Sequence, residues 1–408
     1  MYSLGIDIGT TSIATVIIDK DLSILSTFSL NHNASIPSMD GISEQNPDTL
    51  LLVIQELINN HPIELLQKVR TIGVTGQMHG VILWNTETKE HTNLITWQDQ
   101  RATQNNLLKS IQEHPGCLEL RDGFGFTTLS VLSKCMSMEK YNACGTIMDY
   151  LIWMMTGNLL IDQSNASSWG LYDIDSNEWN KNAIQSLGIN LNILPKISST
   201  GSDAGFLNKE FEQLYHMNKV LVKCSIGDNQ ASVLAAGRNF ENEVYITFGT
   251  GCQISIVLDK SESLKLQHTP TFELRPFLRD KLLVVSAPLC GGKSWEILKD
   301  MAKDMIMQFT NQDLSDDEIY HRLDEMAFNE IDSIDLPSIA PHFLGERWDM
   351  NSKASITGLT QNNFTISKIA AALLIGMASN LKHNLPKKCF EKRNCIIANG
   401  NAIKKNKS

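Results

Sequence analysis

Residues 4–20 read LGIDIGTTSIATVIIDK, and residues 246–260 read ITFGTGCQISIVLDK. Set side by side from Ile6 and Ile246, the two stretches match without a gap. Each runs through an apolar strand, Gly-Thr, a polar turn, a second apolar strand and Asp-Lys, the pattern of a β-hairpin. Gly9 and Gly249 are expected to supply the positive φ of a tight turn, and the hydroxyls and backbone N–H groups of each tip can cradle an anion. Two such tips would make a clamp. The copies differ at one position that matters: Asp7 stands in the first strand where the second has Thr247. Fifteen aligned positions with the same turn and exit residues point to an internal duplication rather than to two unrelated hairpins.

A chain of 408 residues exceeds what one core usually supports. The duplication places the two domains at residues 1–222 and 223–408. With 42% hydrophobic and 20% charged residues the composition is that of an ordinary globular protein, without a disordered segment. A net charge of −10 argues against a nucleic-acid partner, which would need a basic face. The N-terminus enters a strand at once, with no basic and apolar leader, and the longest apolar run, 369–378, is too short to span a bilayer. A cytoplasmic protein without membrane contact is expected. The eight cysteines show no C-x-x-C pair, so reduced thiols are expected, with neither disulfides nor structural zinc.

Residues 24–30 predict a third strand, and 46–66 carry apolar residues at helical spacing with a break near Pro62. Residues 69–75 (VRTIGVT) predict a strand ending in Gly76-Gln77-Met78-His79-Gly80, followed by a strand at 81–84; a strand at 94–97 runs into Gln98-Asp99-Gln100-Arg101. Residues 127–160 read as helical, with DYLIWMMTG closed by Gly157, and 162–170 (DQSNASSWG) are dense in amides and hydroxyls. A strand at 220–225 ends in Gly227-Asp228-Asn229-Gln230 before a helix at 231–237. A strand at 282–286 leaves through Cys290-Gly291-Gly292-Lys293-Ser294 into an amphipathic helix to 307. Acidic helical sequence to 329, a loop at 339–347 (IAPHFLGER), an apolar helix at 367–381 and a short strand at 395–398 complete the chain before a lysine-rich tail. Polar groups at the carboxyl ends of strands are where α/β sheets place ligands.

Asp7 in an apolar strand is costly to bury alone. A magnesium ion bound mainly through water, neutralising nucleotide phosphates, would account for it, as would a distant Lys or Arg. Asp228, at a strand-to-helix corner, suits a general base and equally suits a helix N-cap. Residues 287–294 (APLCGGKS) fall one glycine short of a P-loop, and no apolar strand ending in Asp serves as a Walker B partner. What remains is that Gly291 and Gly292 let backbone approach a phosphate at a helix N-terminus, or simply pack tightly. Met78, His79, Trp97, Asp99 and Arg101 are singly ordinary structural residues. Together on neighbouring strand ends they suit a polyol, with ring faces covering C–H surface and fixed polar groups reading hydroxyls.

The duplicated hairpin, TGQMHG, WQDQR, IGDNQAS, LGER and IIANGNA stand in the order found in the FGGY carbohydrate kinases, and the chain resembles that family over essentially its whole length. The resemblance implies an α/β, two-domain actin/Hsp70/sugar-kinase (ribonuclease H-like) fold with an interdomain cleft. It implies transfer of the γ-phosphoryl group of Mg2+-ATP to a small-molecule sugar, with Asp228 as general base and Asp7 as the metal-linked carboxylate. It assigns Thr10, Thr11 and Ser12 to the first phosphate loop, Thr250 and Gly251 to the second, Gly291 and Gly292 to later phosphate contacts and Gly400 to the adenosine motif. Gln77, Met78, His79, Trp97, Asp99 and Arg101 match the sugar site, which Asp228 also faces. TWQDQR and DQSNASSWG are similar to segments of the members that phosphorylate sedoheptulose, whereas in xylulose kinases an Asn commonly follows the Trp; sedoheptulose, made into its 7-phosphate, is therefore the implied acceptor. Family members continue past the adenosine motif, here Asn399-Gly400-Asn401-Ala402, so the second domain is expected to be incomplete at its end and ATP binding weak. That shortening raises a sugar-binding regulator without activity as a rival.

Overall fold

The computed structural model describes residues 2–249, 251–267, 269–346, 348–349 and 351–400. They form two compact units. The first runs to Ala235 and takes in Pro276–Arg279; the second holds the remaining described residues from Ala236 onward.

In the first unit, β1 (Tyr2–Ile8), β2 (Ser12–Ile18) and β3 (Ile24–Asn31) form an antiparallel meander. Alternation buries Leu4, Ile6 and Ile8 on β1 and Ile13, Thr15 and Ile17 on β2. Helix α1 (Pro47–Asn59) starts where Asn46 accepts the Thr49 N–H and Pro47 pre-sets φ. Its Leu50, Ile54, Leu57 and Ile58 join the same core. Each such side chain removed from water contributes about 1.5–3 kcal/mol. Strand β4 (Val69–Gly76) then lies parallel to β1. The stretch expected to be helical over 127–160 is divided into a helix at Gly125–Cys135, a strand at Ala143–Gly145 that pairs with Ile82–Trp84, and helix α2 (Ile147–Thr156). Helix α2 opens on a Thr146/Asp149 capping box and closes on Gly157 in the left-handed region, the end its sequence predicts. Helix α3 (Gln163–Ser168) occupies the amide-rich DQSNASSWG stretch, capped by Asp162. Strands β5 (Asp203–Phe206), β6 (Leu221–Lys223) and β7 (Ile226–Gly227) complete the sheet, in the order β5-β6-β4-β1-β2-β3, with β7 also pairing to β4. Because β7 is hydrogen-bonded to β4, helix α4 (Asp228–Ala236), which follows it, belongs to the first unit. The compact units therefore divide after Ala235 and not at 222/223.

The second unit repeats the plan. Strands β8 (Glu243–Phe248), β9 (Cys252–Asp259), β10 (Glu273–Pro276), β11 (Lys281–Ser286) and β12 (Cys395–Asn399) form a sheet ordered β10-β11-β9-β8-β12. The antiparallel pairs β8-β9 and β9-β11 and the parallel pair β8-β12 reproduce β1-β2, β2-β3 and β1-β4. Helices α5 (Gly292–Thr310), α6 (Asp316–Glu330) and α7 (Ile366–His383) bury Trp295, Leu298, Ile319, Leu323, Leu373 and Met377 together.

The duplication is real in topology but not in register. In the first hairpin Ile8 pairs with Ile13; in the second Phe248 pairs with Cys252, where the gapless match would put Gln253. Side chains alternate, so this one-residue step exchanges faces: Cys252, Ile254 and Ile256 join the core cluster under the sheet, while Ser255 and Val257, aligned with Thr15 and Ile17, are buried on the other face.

All eight cysteines are free thiols, and only Cys135 is exposed. Among the described residues no helix is long and apolar enough to cross a membrane.

Candidate active site

Three neighbouring strands of the first unit end together. Strands β1, β4 and β7 run parallel, with Asp7 beside Thr75 and Thr75 beside Ile226. Asp7, Gln77-Met78 and Asp228 therefore leave one sheet at its carboxyl edge, where open α/β sheets bind ligands. The edge is tied by the Gln77 N–H donating to the Ile8 carbonyl at 2.9 Å and the Thr75 hydroxyl donating to the Ile226 carbonyl at 2.8 Å. A Cβ on Gly76 would stand 2.4 Å from the Ile8 carbonyl oxygen. One on Gly227 would stand 2.4 Å from Met78 Sδ, which puts Met78 against the strand end that carries Asp228.

Asp7 is exposed at this edge, yet the surrounding protein desolvates its carboxyl group enough to raise its pKa. Among the described residues no basic side chain offsets that charge. Asp228 is exposed as the first residue of α4, and its Oδ1 accepts the Asn229 N–H at 2.6 Å.

The first hairpin tip, Gly9-Thr10-Thr11-Ser12, is closed by the Gly9 N–H donating to the Ser12 carbonyl at 3.0 Å. Neither Gly9 nor Gly249 has a positive φ, contrary to the sequence expectation. Gly9 is required for closeness instead, since its Cβ would stand 2.9 Å from the Ser12 carbonyl oxygen; around Gly249 the nearest such contact, 3.7 Å from the Gly251 oxygen, is an ordinary one.

Thr10 is the hub of this tip. Its carbonyl accepts from Gln45 Nε2 at 2.9 Å and His32 Nε2 at 3.0 Å, and its hydroxyl accepts the Trp97 indole N–H at 3.0 Å. Gln77 Nε2 donates to Gln45 Oε1 at 2.9 Å, so an amide relay joins the TGQMHG loop to the tip. Trp97 is 40% exposed, leaving ring surface open. His79 sits in the left-handed region (φ 70°), an uncommon place for a residue with a Cβ, and stacks on Phe124 at 5.1 Å. Its Nδ1 lies 2.6 Å from the Ser168 carbonyl, which can only accept. Nδ1 therefore carries the proton, and in the neutral ring Nε2 holds the lone pair.

Asp99 and Arg101 lie differently. Asp99 is buried, taking the Ser43 N–H on Oδ2 at 2.9 Å and Arg101 Nε on Oδ1 at 2.7 Å; Arg101 also donates to Glu44 Oε1 at 2.8 Å. Burial opposes the Arg101 charge, but these two carboxylates outweigh it and raise its pKa. The pair thus forms a closed ionic cluster with Glu44 beside the loop of Trp97. His32, Glu44 and Gln45 escaped the sequence reading. The available signal was the polar run Ser43-Glu44-Gln45 directly ahead of the Asn46-Pro47 helix start.

In the second unit, glycines gather around the other hairpin tip. The Gly292 N–H donates to the Gly249 carbonyl at 2.9 Å, and a Cβ on Gly291 would stand 2.3 Å from the Gly251 carbonyl carbon. Gly400, at φ 118°, follows β12, and its Cβ would meet the Phe248 carbonyl oxygen at 2.0 Å. Gly251, Gly291, Gly292 and Gly400 are thus brought together by backbone contact, with Gly291 as N-cap of the long helix α5. Lys293, the lysine of the P-loop-like stretch, pairs with Glu296 at 2.9 Å. Thr250, Arg347, Asn401, Ala402 and the lysine-rich tail lie outside the described residues.

A duplicated α/β unit with hydroxyl- and glycine-rich hairpin tips and carboxylates at a strand edge is the frame of a phosphotransferase of the actin- and Hsp70-like fold. Residues 2–235 match the N-terminal domain of the FGGY family of carbohydrate kinases, and the chain belongs to that family. It is 26% identical to the sedoheptulokinase of Mus musculus over 438 aligned positions, which cover 99% of this chain and 90% of that one. Among solved structures, xylulose kinase from Rhodospirillum rubrum superposes with a TM-score of 0.82 at 18% identity, covering all of this chain and 83% of the other. Plasmodium falciparum glycerol kinase with ADP superposes with a TM-score of 0.79 at 22% identity, covering 99% and 82%. The fold is that of these sugar kinases, and the chain is a carbohydrate kinase.

Proposed function

We propose that the protein transfers the γ-phosphoryl group of ATP to sedoheptulose, giving the 7-phosphate, with Asp228 as general base. The observation that carries this reading is the shared strand edge: Met78 touches the end that holds Asp228, and Gln77 reaches the first hairpin tip through Gln45. The sedoheptulokinase relative supports the choice of sugar.

In this reading Gln77, Met78, His79 and Trp97 hold the sugar. Trp97 offers its ring face, and His79, with Nδ1 held by the Ser168 carbonyl, stands in the loop after β4. Asp99 fixes Arg101 and the loop around them. The Asp228 carboxylate takes the proton of the attacking hydroxyl as the O–P bond forms and ADP leaves. In the first unit the backbone groups of Thr10, Thr11 and Ser12 are assigned to phosphate contacts; in the second, Gly251, Gly291 and Gly292 are assigned to phosphate contacts and Gly400 to the adenosine. Asp7 fits magnesium, because it is an exposed carboxylate whose charge no basic side chain among the described residues offsets. Asp7 would hold the ion, whose charge, when bound, would neutralise phosphate oxygens.

Coupled ADP-release assays over sedoheptulose, xylulose, ribulose and glycerol test the substrate. Sedoheptulose is expected to give the highest kcat/KM, and a higher value for xylulose would overturn the choice. Asp228→Asn should lower turnover by about 10²- to 10⁴-fold with the fold retained. Turnover at the wild-type level would remove Asp228 from the mechanism.

A further inference from the structure

Behind Asp228 lies a polar network that touches no reacting atom. Asp149 and Asp162 are both fully buried, an expensive arrangement for two carboxylates unless their charges are put to use. Asp149 Oδ1 accepts the Ser225 hydroxyl at 2.9 Å, and Ser225 Oγ accepts Asn165 Nδ2 at 3.2 Å. Asp162 Oδ1 accepts the Ser164 hydroxyl at 2.9 Å, and Ser164 Oγ accepts the Gly227 N–H at 3.0 Å. Thr200 donates to Asp162 Oδ2 at 2.7 Å, and the Thr146 cap takes up Asp149 Oδ2. Each residue ahead of Asp228 is therefore held from outside its own strand: Ser225 by Asp149 and Asn165, Ile226 by Thr75, and Gly227 by Ser164. Strand β7 is only two residues long and its ladder alone would position its end poorly.

We propose that Asp149 and Asp162 are positioning residues for Asp228, acting through Ser225, Asn165 and Ser164 to fix the strand end from which the base projects. Desolvation supports the idea. Burial raises the pKa of both carboxyls, that of Asp149 to about 7, and the donors around them counter the rise. Each carboxylate also caps a helix, Asp149 in the α2 capping box and Asp162 at α3, so a readout other than stability is needed to show the positioning role. A network kept for placement matters because misplacing a reacting group by about 1 Å costs about 10²-fold in rate. The proposal rests on Asp228 being the general base.

Ser225→Ala and Ser164→Ala each remove one link without adding bulk. Each should lower kcat about 10- to 100-fold while both KM values stay within about 3-fold, and the threonine variants, which keep the hydroxyl, should recover most of the loss. The deciding measurement repeats Ser225→Ala in an Asp228→Asn background. If the network works through Asp228, the second substitution lowers the residual rate no further. An equal loss in both backgrounds, or no loss in the wild-type background, overturns the positioning role and leaves Asp228 as base. Wild-type turnover in Asp228→Asn alone overturns the base assignment and this proposal with it. Should Ser225→Ala fail to fold, Ser164→Ala carries the same cycle, and a melt of each variant shows which case applies.

Discussion

Gly291→Ala tests the nucleotide half of the site. Its Cβ would stand 2.3 Å from the Gly251 carbonyl carbon and 2.6 Å from its Cα and oxygen, whereas ordinary contacts begin at 3.4 Å. The atoms on both sides are backbone, so no flexible side chain can yield. The hairpin tip at Gly249–Gly251 and the start of α5 must separate by about 1 Å, in a segment where the Gly292 N–H to Gly249 carbonyl bond already fixes the spacing. Overpacking of this kind costs about 1–3 kcal/mol in stability. For the reaction it moves the proposed phosphate contacts by about 1 Å, and kcat/KM for ATP should fall about 10²-fold. Sugar affinity should hold, because the sugar candidates belong to the other unit. The assay is coupled ADP release with ATP varied at saturating sugar, beside calorimetric titration of the sugar. Wild-type kcat/KM for ATP, or a matching loss of sugar affinity, would refute the reasoning.

Asp7→Ala should raise the magnesium concentration needed for half-maximal rate with little change in sugar affinity, and superimposable magnesium titrations would count against the metal role. Trp84 is fully buried, with its ring against Tyr150 at 5.1 Å and Trp153 at 5.5 Å, so Trp84→Ala should destabilise the first unit by about 3–5 kcal/mol in denaturant melts; a loss below about 1 kcal/mol would contradict that packing. His61 is held between the Thr15 and Ser26 hydroxyls, and burial lowers its pKa below 6.5. The unfolded chain then binds the proton more tightly, so the stability His61 lends is full above about pH 6.5 and lost as pH falls towards the folded value. The stability gap between wild type and His61→Gln should narrow on acidification, and a widening gap would reverse the sign.

Much of this was legible because strands and turns announce themselves locally. The boundaries of β3, β4, β9 and α1 follow from apolar runs closed by Gly, Pro and Asn, and the end of α2 was readable from Gly157, whereas the strand Ala143–Gly145 that breaks the expected helix over 127–160 was not. What escaped depends on registers and on distant partners. Nothing in ITFGTGCQISIVLDK tells Cys252 from Gln253 as the partner of Phe248; only the buried face of the assembled sheet decides it. The ionic closure of Arg101 by Glu44 joins residues 57 apart in the chain, and the bond from Ser225 to Asp149 joins residues 76 apart. A side chain that reads as a surface polar group can become a buried fixture only when a remote strand supplies its donors.

The most informative mark in the sequence was one of the differences between the hairpins, Asp7 against Thr247. In the first sheet the pair at the carboxyl end of the parallel strands is Asp7 and Thr75; in the second it is Thr247 and Asn399. Both sheets share the same strand order around this pair, so one backbone presents a carboxylate in one unit and neutral groups in the other. A carboxylate at such an edge repels phosphate unless a cation stands between them, whereas a hydroxyl and an amide can donate to it directly. In the proposed reading the duplicated fold thus supplies two phosphate-facing edges, one negatively charged and one neutral. Asp7→Asn should make the first edge resemble the second: in the proposed reading it raises the magnesium concentration needed for half-maximal rate, as Asp7→Ala does, while leaving nucleotide affinity without magnesium unchanged or improved. Loss of nucleotide affinity in the absence of magnesium would show that Asp7 serves the nucleotide by some route other than the cation.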